Sequence, residues 1–130
     1  MYFLTIDDVM AIHTEVLATY GGSEGVRDQG LLISALTTPQ ATFGGDYLHP
    51  TIYDKAAAYL FHLARNHAFI DGNKRTAWQA AVVFLELNDV DLAVDYDLDE
   101  IECFVIDAAT GKLDKAEIAT YLRKLFGRAA

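Results

Sequence analysis

Residues 77–87, AWQAAVVFLEL, read as a helix that is apolar on nearly every side, and such a helix is stable only when other helices wrap it. Upstream, Ile52, Ala56, Tyr59, Leu60 and Leu63 recur at helical spacing behind Thr51, a residue suited to an N-cap. These two segments predict a central helix pair, 52–66 and 73–88, and the rest of the chain must cover it. Thr5 with Asp8 predicts a capping box for a first helix, whose apolar positions Ile6, Val9, Met10, Val16, Leu17 and Tyr20 run until Gly21-Gly22. A short helix through LLISAL is closed by Pro39, and Asp97 with Glu100 and Asp114 with Glu117 predict capping boxes for two more. Gly111 separates those two, and Gly127 is expected to end the last. The run VDLAV alternates and predicts a short strand, half of a small hairpin. The expectation is an all-α fold, a single domain over residues 1–130, with about six helices around the central pair and room for one short β-hairpin.

Composition narrows the function. At 130 residues with 52% hydrophobic side chains, the chain is expected to form one core and is excluded from the disordered classes. A formal charge of −9 disfavours nucleic acid and anionic membrane as direct partners. No apolar stretch nears the roughly 18 residues of a membrane span, and MYFLTIDDVM lacks the basic start of a secretory signal. Cys103 stands alone, so no internal disulfide is available, and packing is its expected role. Together these features predict a reducing, cytoplasmic setting. His13 falls in the apolar stripe of the first helix with no partner spaced to meet it, and reads as a half-buried structural histidine. The loop 39–50, with two glycines and exposed aromatics, either fills space or covers a site. The acidic run 89–100 fails as a calcium loop, having Ala93 and Val94 where a ligand and the turn glycine are required.

Between the two central helices lies HAFIDGNKRTAW, residues 67–78. Lys74 and Arg75 occupy the first turn of the second helix, where the dipole is already positive and four N–H groups lack partners, so cations are mildly unfavourable there. Such a start suits an anion: the N–H groups face phosphate oxygens, Gly72 allows close backbone approach, and the two cations add charge. Gly72 and Asn73 also suit an ordinary helix start. Asp71 reads equally as the carboxylate ligand of a Mg²⁺ bound to phosphate or as a bare N-cap. His67 stands four places beyond Leu63 on the inner stripe, so it is expected to point inward. An imidazole, ordinarily titrating near ~6.5, can take a proton from a hydroxyl attacking phosphorus. Other motifs fail: GNKRT lacks the second glycine of a Walker loop, and His62 and His67 lie on different faces, unsuited to zinc.

These residues resemble the Fic/Doc family. Its loop reads HPFx(D/E)GNGRxxR in the Fic proteins and HxFx(D/N)(A/G)NKR in the Doc (death on curing) toxins, and HAFIDGNKR matches the Doc form at every specified place. YGG after the first helix and AATGKLDKAEIATYLRKLFG at the end are also similar to Doc toxins, so the likeness covers nearly the whole chain. The resemblance implies a Fic-like helical bundle. It implies His67 as catalytic base, Phe69 as core anchor, Asp71 as Mg²⁺ ligand, Gly72 and Asn73 as parts of an anion hole, and Arg75 as a phosphate contact, while Lys74 adds bulk and charge inside that loop. ATP is the implied nucleotide. Ala68 replaces the Fic proline, Lys74 the second glycine, and Trp78 the final arginine. In Doc toxins the lysine accompanies transfer of the terminal phosphoryl group to a threonine of translation elongation factor Tu, which halts translation.

The inhibitory pattern (S/T)xxxE(G/N) of Fic proteins is missing, because Tyr20 stands where Glu24-Gly25 would need Ser or Thr. Resemblance to Doc implies instead a separate antitoxin whose C-terminal helix fills a groove on the toxin, with the first helix and the 39–50 loop as its apolar walls. Two other readings stay open. One is adenylyl transfer of the Fic type, which Lys74 and Trp78 oppose. The other is a non-catalytic helical module that binds a protein partner.

Overall fold

The computed structural model describes residues 1–128. Six α-helices make up its bulk: α1 (Ile6–Tyr20), α2 (Gln29–Thr37), α3 (Ile52–Asn66), α4 (Asn73–Leu87), α5 (Leu98–Ala109) and α6 (Lys115–Leu125). Reciprocal capping boxes start three of them, from Thr5 with Asp8, Thr51 with Asp54, and Asp114 with Glu117. Asp97 caps α5 differently from expectation. It accepts the Asp99 amide at 2.9 Å, and among the described hydrogen bonds Glu100 returns none.

The all-α expectation and the central pair hold. Helix α3 packs against α4 and is also covered by α2, α5 and α6, while α1 lies on α4. Ala56, Ala57, Ala58 and Ala64 on α3 and Ala77, Ala80 and Ala81 on α4 have no exposed surface. Small side chains on both helices let the two backbones approach closely, and Tyr59, Leu60, Leu63, Phe84 and Leu85 fill the remaining core. The hydroxyl of buried Tyr59 accepts the Leu4 amide at 2.9 Å, which ties the segment before α1 to α3. Cys103 departs from expectation: it is exposed on α5, because the buried face of that helix is set by Ile101, Phe104, Val105 and Ala108. Among the described residues, no helix is long and apolar enough to cross a membrane.

The strands also differ from the sequence reading. The strand within VDLAV, Val90–Leu92, pairs antiparallel with Phe126–Arg128, so its partner is the distant end of the chain and not a neighbouring hairpin arm. Helix α6 accordingly stops at Leu125, and Gly127 lies inside the strand instead of ending the helix. A local hairpin does form, but within 39–50: Thr42–Phe43 pairs with Asp46–Tyr47 around Gly44 and Gly45, both at positive φ. Its strands are two residues long and wholly exposed, so no alternation betrays them.

This hairpin is anchored by Lys55, 1% exposed. Its ammonium donates to the carbonyls of His49 and Pro50 at 2.7 and 3.0 Å and lies 4.1 Å from the Tyr47 ring centroid. Beside it, the Lys115 ammonium donates to Nε2 of both His62 and His49, at 3.0 and 3.2 Å. Burial, followed by the positive charges of Lys115, His49 and Arg65, pushes the His62 imidazole down to about 4. Burial, then Lys115, lowers His49 as well. A histidine whose folded pKa is depressed stabilises the fold above its unfolded value, because below it the unfolded chain binds the extra proton. Thermal stability should therefore fall as pH drops from about 6.5 towards 4. His62→Gln should flatten that dependence in melting curves, and an unchanged slope would place its origin elsewhere.

Candidate active site

Helix α3 ends one residue before the position that would keep His67 on its inner stripe. His67 is the C-cap, in the left-handed region at φ 50°, ψ 47°, and this single residue turns the chain. The inward expectation is thereby corrected. The His67 side chain is exposed and opens on a cavity, and Ala68 and Phe69 take the buried places, 0% and 1% exposed. The carbonyls left open at this helix end are taken by Arg27, whose Nε donates to His67 O at 2.6 Å and whose Nη2 donates to Asn66 O at 3.1 Å. A cation is favourable there, against the negative end of the helix dipole. The loop before α2 also runs antiparallel to the turn: Arg27 N–H donates to Ala68 O, Ile70 N–H to Gly25 O, and Val26 bridges Phe69.

Helix α4 begins without the device that starts the others. Among the six α-helices it is the one with no side-chain cap: its N-cap is Gly72, at φ 77°, ψ 18°. The first intrahelical amide is that of Thr76, bonded to Gly72 O at 3.0 Å, so the amides of 73–75 lack helical acceptors. Asp71 is not the N-cap. Its Oδ2 accepts the Ser23 amide at 2.9 Å, from a residue 48 positions away, and among the described hydrogen bonds Oδ1 has no partner. Asn73 folds its side chain back on the loop, accepting from Phe69 N–H at 3.0 Å and donating to Phe69 O at 2.9 Å. Its side chain is thus committed to holding the turn, and its backbone amide is what remains for an anion. His13, read as half-buried and unpartnered, is 3% exposed. Its Nε2 donates to Asp71 O at 2.8 Å, across 58 positions, and its ring stacks on Phe69 at 3.8 Å. Local spacing could not reveal a partner so remote.

His67, Asp71, Gly72, Asn73, Lys74 and Arg75 all line one cavity of about 750 Å³, a size suited to a small-molecule ligand. The structure therefore brings together the six residues that the sequence offered as candidates for catalysis and for phosphate or metal binding. Lys74 and Arg75 are exposed at its polar end, and the Arg75 guanidinium lies 3.8 Å over the Tyr20 ring, a cation–π contact that fixes its position. Trp78, at the place of the Fic arginine, is 8% exposed and packs against Tyr96, Phe104 and Phe126, so this position serves the core. Across the cavity, α5 presents Leu98, Ile101, Val105 and Ile106, with the carboxylates of Asp99 and Glu102 among them. Sequence reasoning missed Arg27, Ser23 and Tyr20. Gly21-Gly22 was read as a helix stop and as part of the Doc-like YGG, with no tie to the site, although Gly22 leaves space where a Cβ would meet the Asp71 Cβ at 3.2 Å.

Among the described residues no group of three His, Cys, Asp or Glu could hold a metal ion. An all-protein metal cage is not what Mg²⁺ needs, since it takes one or two carboxylates and completes its shell with water and phosphate oxygens. Asp71, with one oxygen to spare beside the open amides, fits that use.

The Fic/DOC family profile matches residues 3–85, from ahead of α1 to the last turn of α4, a stretch that contains His67, Asp71, Gly72, Asn73, Lys74 and Arg75 of the cavity lining. The chain belongs to the Fic/DOC family. It is similar to Toxin Doc of Mycolicibacterium smegmatis, 48% identical over 120 residues, which is 92% of this chain and 90% of that protein. It is also similar to Protein kinase doc of Escherichia phage P1, 32% identical over 129 residues and 99% of each chain. At these coverages both likenesses continue past the family match through α5, and that to Protein kinase doc runs through α6 as well. This Fic/DOC chain accordingly stands on the Doc branch, in keeping with Lys74 and Trp78 in its loop.

Proposed function

We propose that the cavity seats Mg²⁺-ATP on the start of α4 and that His67 deprotonates a protein hydroxyl as it takes the terminal phosphoryl group. Full-length likeness to Toxin Doc and Protein kinase doc makes the chain a Doc-type toxin with phosphotransferase chemistry. The observation that carries the nucleotide reading is the uncapped α4 terminus: open amides, Lys74 and Arg75 share one cavity with the imidazole of His67. Phosphoryl transfer needs little covalent chemistry from the protein and much positioning and charge stabilisation, which this arrangement supplies. The amides of 73–75 with Lys74 and Arg75 hold the phosphate chain, and His67 accepts the hydroxyl proton. Magnesium bound at Asp71 would neutralise charge on the phosphate oxygens. Lys74 in the place of a second glycine, and Trp78 in the place of an arginine, favour the terminal phosphoryl group over the adenylyl group as the cargo.

The proposed acceptor is a threonine of elongation factor Tu, and the proposed setting is the cytoplasm, where that target works. An antitoxin is the proposed partner, its C-terminal helix lying in a groove on the toxin. The 39–50 hairpin stands at the start of α3 and His67 at its end, ~22 Å apart for a helix of this length. The α5 face of the cavity, with Leu98 at 75% and Ile106 at 39% exposed, is therefore a better apolar wall for such a helix than that hairpin.

The purified protein incubated with a bacterial lysate should transfer label from γ-labelled ATP, and none from α-labelled ATP, to one protein band. Label from the α position would establish adenylyl transfer. No label and no nucleotide binding would leave a non-catalytic helical module.

A further inference from the structure

We infer that His13 is a positioning residue: by tethering the Asp71 carbonyl inside the fold, it aims the Gly72 N–H into the cavity as an anion donor. A carbonyl oxygen only accepts, so in the 2.8 Å contact it is His13 Nε2 that carries the proton. The ring cannot turn aside, because it is 3% exposed and stacked within 9° of parallel on Phe69. Phe69 is itself bracketed through both backbone groups by Asn73. The peptide between Asp71 and Gly72 is trans, so its C=O and N–H point in opposite directions. With the carbonyl drawn towards α1, the Gly72 amide faces the cavity that Gly72 lines.

The alternative is a flipped peptide, with the carbonyl outward. Glycine populates positive and negative φ about equally, so Gly72 by itself offers little resistance to that flip. A carbonyl pointing at the phosphate would repel it, whereas an N–H attracts it. His13 thus selects between a loop that holds an anion and one that rejects it, and it does so without touching the ligand. Use of the amide by ATP rests on the proposed function; its orientation does not.

Two measurements on the unaltered protein need no variant. Nitrogen-15 spectra should show the Nε2–H form of His13, and a scalar coupling should cross the hydrogen bond to the Asp71 carbonyl carbon. An Nδ1–H tautomer, or no such coupling, overturns the inference. His13→Met, which keeps the bulk but loses the donor, should change the residual dipolar coupling of the Gly72 N–H. It should also weaken Mg²⁺-ATP binding by about 10- to 100-fold, the worth of one charge-assisted hydrogen bond. His13→Gln, which restores an N–H donor, should recover most of both. A merely structural histidine would lower the melting temperature in both variants and leave the Gly72 coupling unmoved, which would overturn the inference. If ATP does not bind the unaltered protein but the Gly72 orientation still depends on His13, the aiming stands and the nucleotide reading falls.

Discussion

His67→Ala is expected to lower phosphoryl transfer by about 10²–10⁴-fold, the usual contribution of a positioned general base, while leaving the melting temperature unchanged. The fold should be indifferent because the side chain is exposed and makes no hydrogen bond among those described. Alanine is a better probe than glycine. Residue 67 sits in the left-handed region, which glycine adopts without strain, so a glycine variant would confound the stability comparison. Initial rates with saturating ATP and target, set beside a thermal melt, give both halves of the result. Wild-type turnover in a folded variant would remove His67 from the chemistry.

The second large effect is expected at Asp71. Asp71→Asn keeps an oxygen for the Ser23 amide and leaves the main-chain carbonyl for His13, so the turn should persist while the negative charge is lost. Metal-assisted charge stabilisation is worth several kcal/mol, so single-turnover rates should drop by about 10²–10³-fold. The rate should also lose most of its saturable rise with Mg²⁺ concentration. If Asp71→Asn retains the same Mg²⁺ response as the unaltered protein, the ion is held elsewhere.

Much of this architecture could be read from the sequence because its signals are local. Thr5, Thr51 and Asp114 announce helix starts through residues three places on. The candidate residues 67–75 are contiguous, so local chemistry and the Doc-like loop pattern together assembled the list. What escaped is set by contacts over long separations. His13 and Ser23 reach Asp71 across 58 and 48 positions, and Val90–Leu92 finds its partner at the other end of the chain. The inward reading of His67 failed for a different reason: helical periodicity was extended one residue past a left-handed C-cap that no glycine advertised. Asn73 shows the limit of reading roles by position, since its side chain closes the loop on Phe69 and only its main chain can meet a phosphate.

The turn proposed to carry the chemistry is tied from several directions: Arg27 at the end of α3, Val26 beside Phe69, Ser23 on the Asp71 carboxylate and His13 on its carbonyl. The contacts that hold this turn all come from the chain itself, so its shape does not wait on a ligand. On the proposed reading, an obstruction at the cavity mouth would silence the toxin without reshaping the turn, and the onset of activity would follow the supply and lifetime of that plug.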